Sequence, residues 1–190
     1  MPTTADFRNG MVLEFNNDFY TIVEFQHVKP GKGGAFVRTK LKSLTNGRLL
    51  EYTFNAGVRI APVRVERRKY QFLYKDETTN TFTFMQTDTF EQVYVDKDLI
   101  SNEFFLKDGQ EVYILYCADN EQILAVEFPE KIDMRVIEVE AGDKGNTVNR
   151  AMKRAITETG LSVLVPLFIK IDDIIKIDTR TGNYIERAKL

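Results

Sequence analysis

The chain has 190 residues, is 43% hydrophobic and 28% charged, and carries a formal net charge of −2. This composition belongs to a globular protein and excludes a disordered tail, and the length alone suggests one or two domains. No apolar run approaches the roughly 18 residues of a membrane span, and MPTTADFRNGMVLEF has no basic segment ahead of an apolar core, so neither a span nor a secretory signal is expected.

In chain order the signals are mostly those of strands. MVLEF and FYTIVEF flank Asn16-Asn17-Asp18, a polar cluster suited to a hairpin turn. KPGKGG, residues 29–34, then separates TIVEFQHV from AFVRTKLKSL. In the second of these runs Arg38, Lys40 and Lys42 fall on one face and Val37, Thr39 and Leu41 on the other, because strand side chains alternate. Thr45-Asn46-Gly47 is a second turn, with Asn-Gly a hairpin signal. LLEYTF follows, then NAGVRIAPVRVERR, where Gly57 and Pro62 break the pattern. A boundary is placed near Arg64, where the charge changes sign. Residues 1–64 have nine basic and five acidic residues (+4), 65–128 have six and thirteen (−7), and 129–190 have eleven and ten (+1).

The middle third gives YQFLY, TFTFM and EQVYV, aromatic and β-branched runs of strand length. DKDLISNEFFL is the one helical candidate, with Asp96 as N-cap and Leu99, Ile100, Phe104 and Phe105 at helical spacing. EVYILYC and QILAVEF are further strands; the single cysteine, Cys117, has no disulfide partner in the chain and reads as a buried small hydrophobe. A reducing, cytoplasmic setting fits. The last third contains IDMRVIEVE, the loop AGDKGNTVNR, LSVLVPLFI, DIIKID and NYIER; Pro166 inside an apolar run implies a bulge or an edge strand. Short strands with regular turns point to an all-β chain of small barrels. Three units of about 60 residues are marginal in buried area, so neighbours are expected to pack on each other.

Catalytic and metal chemistry finds little support. One histidine, His27, and one cysteine cannot assemble a Cys/His zinc site. His27 sits in a strand run with no nucleophile motif. Asp172-Asp173 and Asp96/Asp98 lie in turn or cap contexts, and PGKGGAF lacks the Walker spacing. The chain is therefore not expected to be an enzyme, to need a cofactor or to hold a metal. The loop has a physical reading of its own. Pro30 fixes one φ and removes a donor. Gly31, Gly33 and Gly34 allow tight backbone and clear the space around Lys32. Between Phe25 and Leu50 there are six basic residues (Lys29, Lys32, Arg38, Lys40, Lys42, Arg48) and no acid. On charge alone this stripe is either a phosphate-backbone contact or a solvated strand face, and the loop either a plain connector or a mount for one cation.

HVKPGKGGAFVRTKLK resembles the first-domain loop of bacterial elongation factor P, a relative of the hypusine-bearing initiation factor of archaea and eukaryotes. TGLSVLVPLFIKIDDIIKIDTRTGNYIER is similar to that family's C-terminal signature, and RNGMVLEFNNDFYTIVEF and FMQTDTFEQ also match its pattern. The resemblance implies three β-barrels in an L shape: an SH3-like (KOW-like) domain over 1–64, an OB domain over 65–128 and a second OB domain over 129–190. It implies a cytoplasmic, monomeric translation factor that binds the ribosome between the peptidyl and exit sites and relieves polyproline stalls. In that reading Lys32, open to post-translational extension by a lysine-modifying enzyme, positions the CCA end of peptidyl-tRNA. Lys29, Pro30, Gly31, Gly33 and Gly34 shape the loop, and Arg38, Lys40 and Lys42 meet tRNA or rRNA phosphates. Gly145, Asn146, Thr147, Tyr184 and Arg187 would face messenger or the small subunit. KGNTVNRAMKRAITETG departs from the family pattern, with Asn146 for Asp and Arg154 for Pro, and VNRAMKRAIT is more helix-compatible and more basic. The alternative is a general RNA-binding module, or a paralogue without a stalling role. A Schiff-base enzyme through Lys32 is disfavoured because a glycine-flanked tip is solvated.

Overall fold

The computed structural model describes residues 1–140 and 152–188. They form three five-stranded antiparallel sheets, each curled around its own apolar core.

The first sheet contains β1 (Val12–Phe15), β2 (Asp18–Val28), β3 (Phe36–Ser43), β4 (Leu49–Asn55) and β5 (Ala61–Val63), in the order β4-β3-β2-β1-β5. The β1–β2 turn works because Asn16 and Asn17 tolerate positive φ, at 52° and 60°. Inward side chains Leu13, Ile22, Val37, Leu41 and Phe54 bury completely or nearly so and pack with Phe7. The Asp18 carboxylate anchors the far end of the β2–β3 pair, accepting from Ser43 Oγ at 3.0 Å and Thr45 Oγ1 at 2.9 Å.

The second sheet contains β6 (Val65–Asp76), β7 (Thr81–Gln86), β8 (Gln92–Asp96), β9 (Glu111–Cys117) and β10 (Ile123–Glu127), in the order β10-β9-β6-β7-β8. The third contains β11 (Lys131–Val139), β12 (Met152–Thr157), β13 (Ser162–Pro166), β14 (Ile174–Asp178) and β15 (Tyr184–Arg187), in the order β13-β12-β11-β14-β15. The two share one topology, with the first strand central. That strand shifts register midway, between Phe72 and Tyr74 in β6 and between Val136 and Glu138 in β11, so it can serve different partners along its length. A parallel bridge from Ile100 to Val126 draws the ends of the second sheet together, as an OB barrel requires.

The one expectation of helix fails. Residues 96–106 form two 3₁₀ turns, Lys97–Leu99 and Glu103–Phe105. Asp96 makes no side-chain cap bond, and the apolar residues are pulled to two different cores: Leu106 into the second barrel, Phe105 into the third. The described part of VNRAMKRAIT, from Met152, is strand β12, because pairing with β11 and β13 and burial of Ala155 and Thr157 on the inner face override local propensity. Pro166 ends β13, an edge strand, where its missing donor is harmless.

The barrels pack on one another. Phe19, Leu44, Val63 and Val65 close over Leu115, Leu124 and Ala125, and Cys117 sits there half-buried, not fully buried as its sequence context implies. Between the second and third barrels, Thr159 Oγ1 donates to the Phe104 carbonyl at 2.6 Å.

Candidate functional site

Strands β2 and β3 form a hairpin whose last pair is Val28 with Phe36, and residues 29–35 project beyond it. Lys29, Pro30, Gly31, Lys32, Gly33 and Gly34 are all exposed. The base of the loop is held by the Ala56 amide donating to the Ala35 carbonyl at 2.9 Å. The glycines differ in role. Gly33 has φ +106°, a conformation L side chains rarely adopt, so its backbone freedom is required. A Cβ on Gly31 or Gly34 would meet open space, so their small size clears room only for something that approaches from outside.

Arg38 and Lys42 are exposed and Lys40 half-buried on the outer face of β3, with Val37, Thr39 and Leu41 buried on the inner face. Their neighbours are less uniform than the sequence stripe. Arg38 lies opposite Gln26 and Thr53, with its guanidinium 5.5 Å from the Phe36 ring centre. Lys40 lies between Glu24 of β2 and Glu51 of β4, and its ammonium reaches Glu24 at 3.6 Å. The run from Phe25 to Leu50 contains no acid, but cross-strand pairing brings one from each side of it. Pairing β2 and β3 outward from the KPGKGG turn, and β3 and β4 outward from Asn46-Gly47, would have found both. The face therefore presents Lys32, Arg38 and Lys42 outward, with Lys40 partly neutralised.

His27 is exposed at the base of the loop, edge-on to Phe25 at 5.6 Å. In the third barrel Tyr184 is half-buried against the core, while Arg187 is exposed, with its guanidinium 3.9 Å from Asp173 and 5.9 Å from the Phe168 ring centre. Gly145, Asn146 and Thr147 lie outside the described residues. Arg154 stands on β12, opposite Leu164 and 3.9 Å from Glu140.

A cleft of about 630 Å³ between the second and third barrels is lined by Phe104 and by charged groups that pair among themselves. Glu103 takes Lys97 at 2.6 Å and Lys75 at 3.0 Å, and these two ammonium groups hold its carboxyl below the usual carboxylate range. Among the described residues no three His, Cys, Asp or Glu side chains converge to hold a metal, and no helix is long and apolar enough to cross a membrane.

Three family models match the chain: the elongation factor P KOW-like domain over residues 3–60, its OB domain over 65–126 and its C-terminal domain over 132–187. An elongation factor P of Amoebophilus asiaticus is 55% identical over 189 residues, covering 100% of this chain and 98% of the relative. One of Azobacteroides pseudotrichonymphae is also 55% identical, covering 100% of both. Among solved structures, eukaryotic translation initiation factor 5A from Methanococcus jannaschii is similar over 66% of this chain and 92% of that one, at 21% identity and a TM-score of 0.47. With every barrel matched in order and full-length relatives at this identity, the chain belongs to the elongation factor P family.

Proposed function

We propose that this translation elongation factor binds the ribosome between the peptidyl and exit sites and speeds peptide-bond formation at consecutive prolines, with Lys32 holding the CCA end of peptidyl-tRNA. The observation that carries the reading is the exposure of Lys32: a cation at the tip of a long anchored hairpin, with open space at Gly31 before it and Gly34 after it. Proline is a conformationally restricted, poorly aligned nucleophile, and alignment alone contributes several kcal/mol to a barrier, up to about 7–11 in favourable cases. The ribosome does the chemistry and the lysine positions. Arg38 and Lys42 face tRNA or rRNA phosphates, contacts that orient without reading sequence. Lys40 contributes less, because it already has a carboxylate.

In this reading the factor works in the cytoplasm as a monomer, needs no cofactor, and takes any covalent extension on Lys32 from a lysine-modifying enzyme. Intact mass of the protein from its native host, compared with the sequence mass, tests the modification, and an unshifted mass makes bare lysine the working species. The function is tested with Lys32→Ala in a polyproline reporter. The variant folds as the wild type does and loses stall relief. Full relief by the variant would remove the positioning role.

A further inference from the structure

Four hairpins of this chain close on one hydrogen-bond pattern. In each, the residue before the turn donates to a carbonyl five positions on and accepts from the amide four positions on: Ser43, Gln86, Cys117 and Asp178. The residue four positions on takes positive φ every time: Gly47 at 69°, Phe90 at 62°, Glu121 at 57° and Gly182 at 73°. Two of the four are glycine, the residue that adopts this region without steric strain. Glu121 has a compensating tie, for its carboxylate takes Arg68 through both oxygens at 2.7 and 2.9 Å. Phe90 has none.

Phe90 is 69% exposed and takes part in none of the core clusters or aromatic pairs among the described residues. The turn is held without it, by Thr89 Oγ1 donating to Gln86 Oε1 at 3.2 Å and by the two backbone bonds of 2.9 Å. A large apolar side chain thus stands in solvent on a strained backbone, to the detriment of the fold. Such strain persists where a binding role retains it.

The surroundings decide the partner. Asp88 precedes Phe90 by two residues and Glu91 follows it directly; neither forms an ion pair among the described residues, although Asp88 is near enough to act on Lys69, itself paired with Glu111, on a barrel of six basic and thirteen acidic residues. Phosphates are repelled there, and a cationic rim is attracted. We propose that Phe90 is an anchor for a protein surface of the ribosome, entering an apolar pocket rimmed by Lys or Arg side chains.

The inference rests on the ribosomal reading, and the two fail in different ways. The test uses the full chain, purified ribosomes and Phe90→Gly. Glycine relieves the turn, so the thermal midpoint stays level or rises by roughly 2–4 °C, while ribosome affinity falls about thirtyfold or more, as for an aromatic hot spot. A second arm places the photo-crosslinker p-benzoylphenylalanine at position 90; the expected adduct is destroyed by protease and survives nuclease. Equal affinity of wild type and variant, a clearly lowered midpoint, or an adduct to rRNA each overturns the anchor alone. A wild-type chain that does not bind ribosomes overturns the anchor and the proposed function together.

Discussion

Phe105 is a residue of one barrel's chain segment that completes the core of the next. It belongs to the 3₁₀ turn Glu103–Phe105, in the chain segment of the second barrel, yet its ring is buried in the core of the third, at 3% exposure. There it meets Phe128 edge-on at 5.4 Å among Ile132, Met134 and Ile177. Its neighbour Leu106 points the other way, into the second core. Phe105→Ala removes a buried aromatic, a loss of about 3–5 kcal/mol, of which the edge-on pair accounts for about 0.5–1.5. At 0.05–0.15 kcal/mol per residue, a barrel of about 60 residues holds only ~3–9 kcal/mol on its own. The substitution therefore takes away at least about a third of the third barrel's stability and up to all of it. Hydrogen exchange followed by mass spectrometry is the assay. Amides of β11–β15 lose protection while those of β1–β4 keep theirs, and Phe105→Leu, which conserves more volume, loses less. Protection lost only in the second barrel, or a change below about 1 kcal/mol, would refute the assignment of this ring to the third core.

Gly33→Ala puts a side chain where φ is +106°, so the thermal midpoint and stall relief both fall; Gly31→Ala, in open space, leaves the midpoint unchanged and lowers stall relief only through the room its methyl takes beside Lys32, and equal midpoint shifts would contradict the different roles of the two glycines. Glu103 has its carboxyl lowered by Lys97 and Lys75, so its contribution is present above the ordinary carboxylate range and is lost as pH falls through the lowered value. Urea titrations across the acid range should show Glu103→Gln with a flatter loss of stability than the wild type; parallel curves would contradict the linkage. Arg38→Ala lowers the salt slope of ribosome binding by about one unit, and Lys40→Ala lowers it less because of Glu24. A larger effect at Lys40 would mean that the pair with Glu24 opens on binding.

Most strands were readable because alternation survives in them: Val37, Thr39 and Leu41 inward against Arg38, Lys40 and Lys42 outward is the pattern β3 adopts. The turns at Asn16-Asn17 and Asn46-Gly47 were readable for the same local reason, since residues that tolerate positive φ are few. Residues 96–106 were misread because their spacing is helical while two cores compete for them. No local pattern states that Phe105 and Leu106 serve different barrels. The acids beside Lys40 were missed for a related reason: charge counted along the chain omits the strands beside it, and Glu24 and Glu51 come from across the sheet. Phe90 stood out in the sequence only as part of FMQTDTFEQ, and its backbone conformation left no signal, because that is marked by a hydrogen-bond pattern shared with Gly47 and Gly182 and not by its own chemistry.

The hairpin also shows where precision at Lys32 comes from. No side chain braces the loop tip: residues 29–34 are all exposed, and the glycines at 31 and 34 have open space around them. What fixes the tip is the backbone. Pro30 restricts one φ, Gly33 satisfies one turn, and the ladder from Val28–Phe36 back to Tyr20–Ser43 carries the strand direction down to the Asp18 carboxylate. Below that, Phe19 and Leu44, one on either side of Asp18 and Ser43, pack into the interface with the second barrel. The aim of Lys32 is therefore set by the same contacts that hold the first two barrels together. A loop braced by its own side chains would be stiffer, but it would fill the space left open around Lys32 for the proposed tRNA end. Glycine around the lysine and a long anchored ladder behind it reconcile open access with a fixed direction.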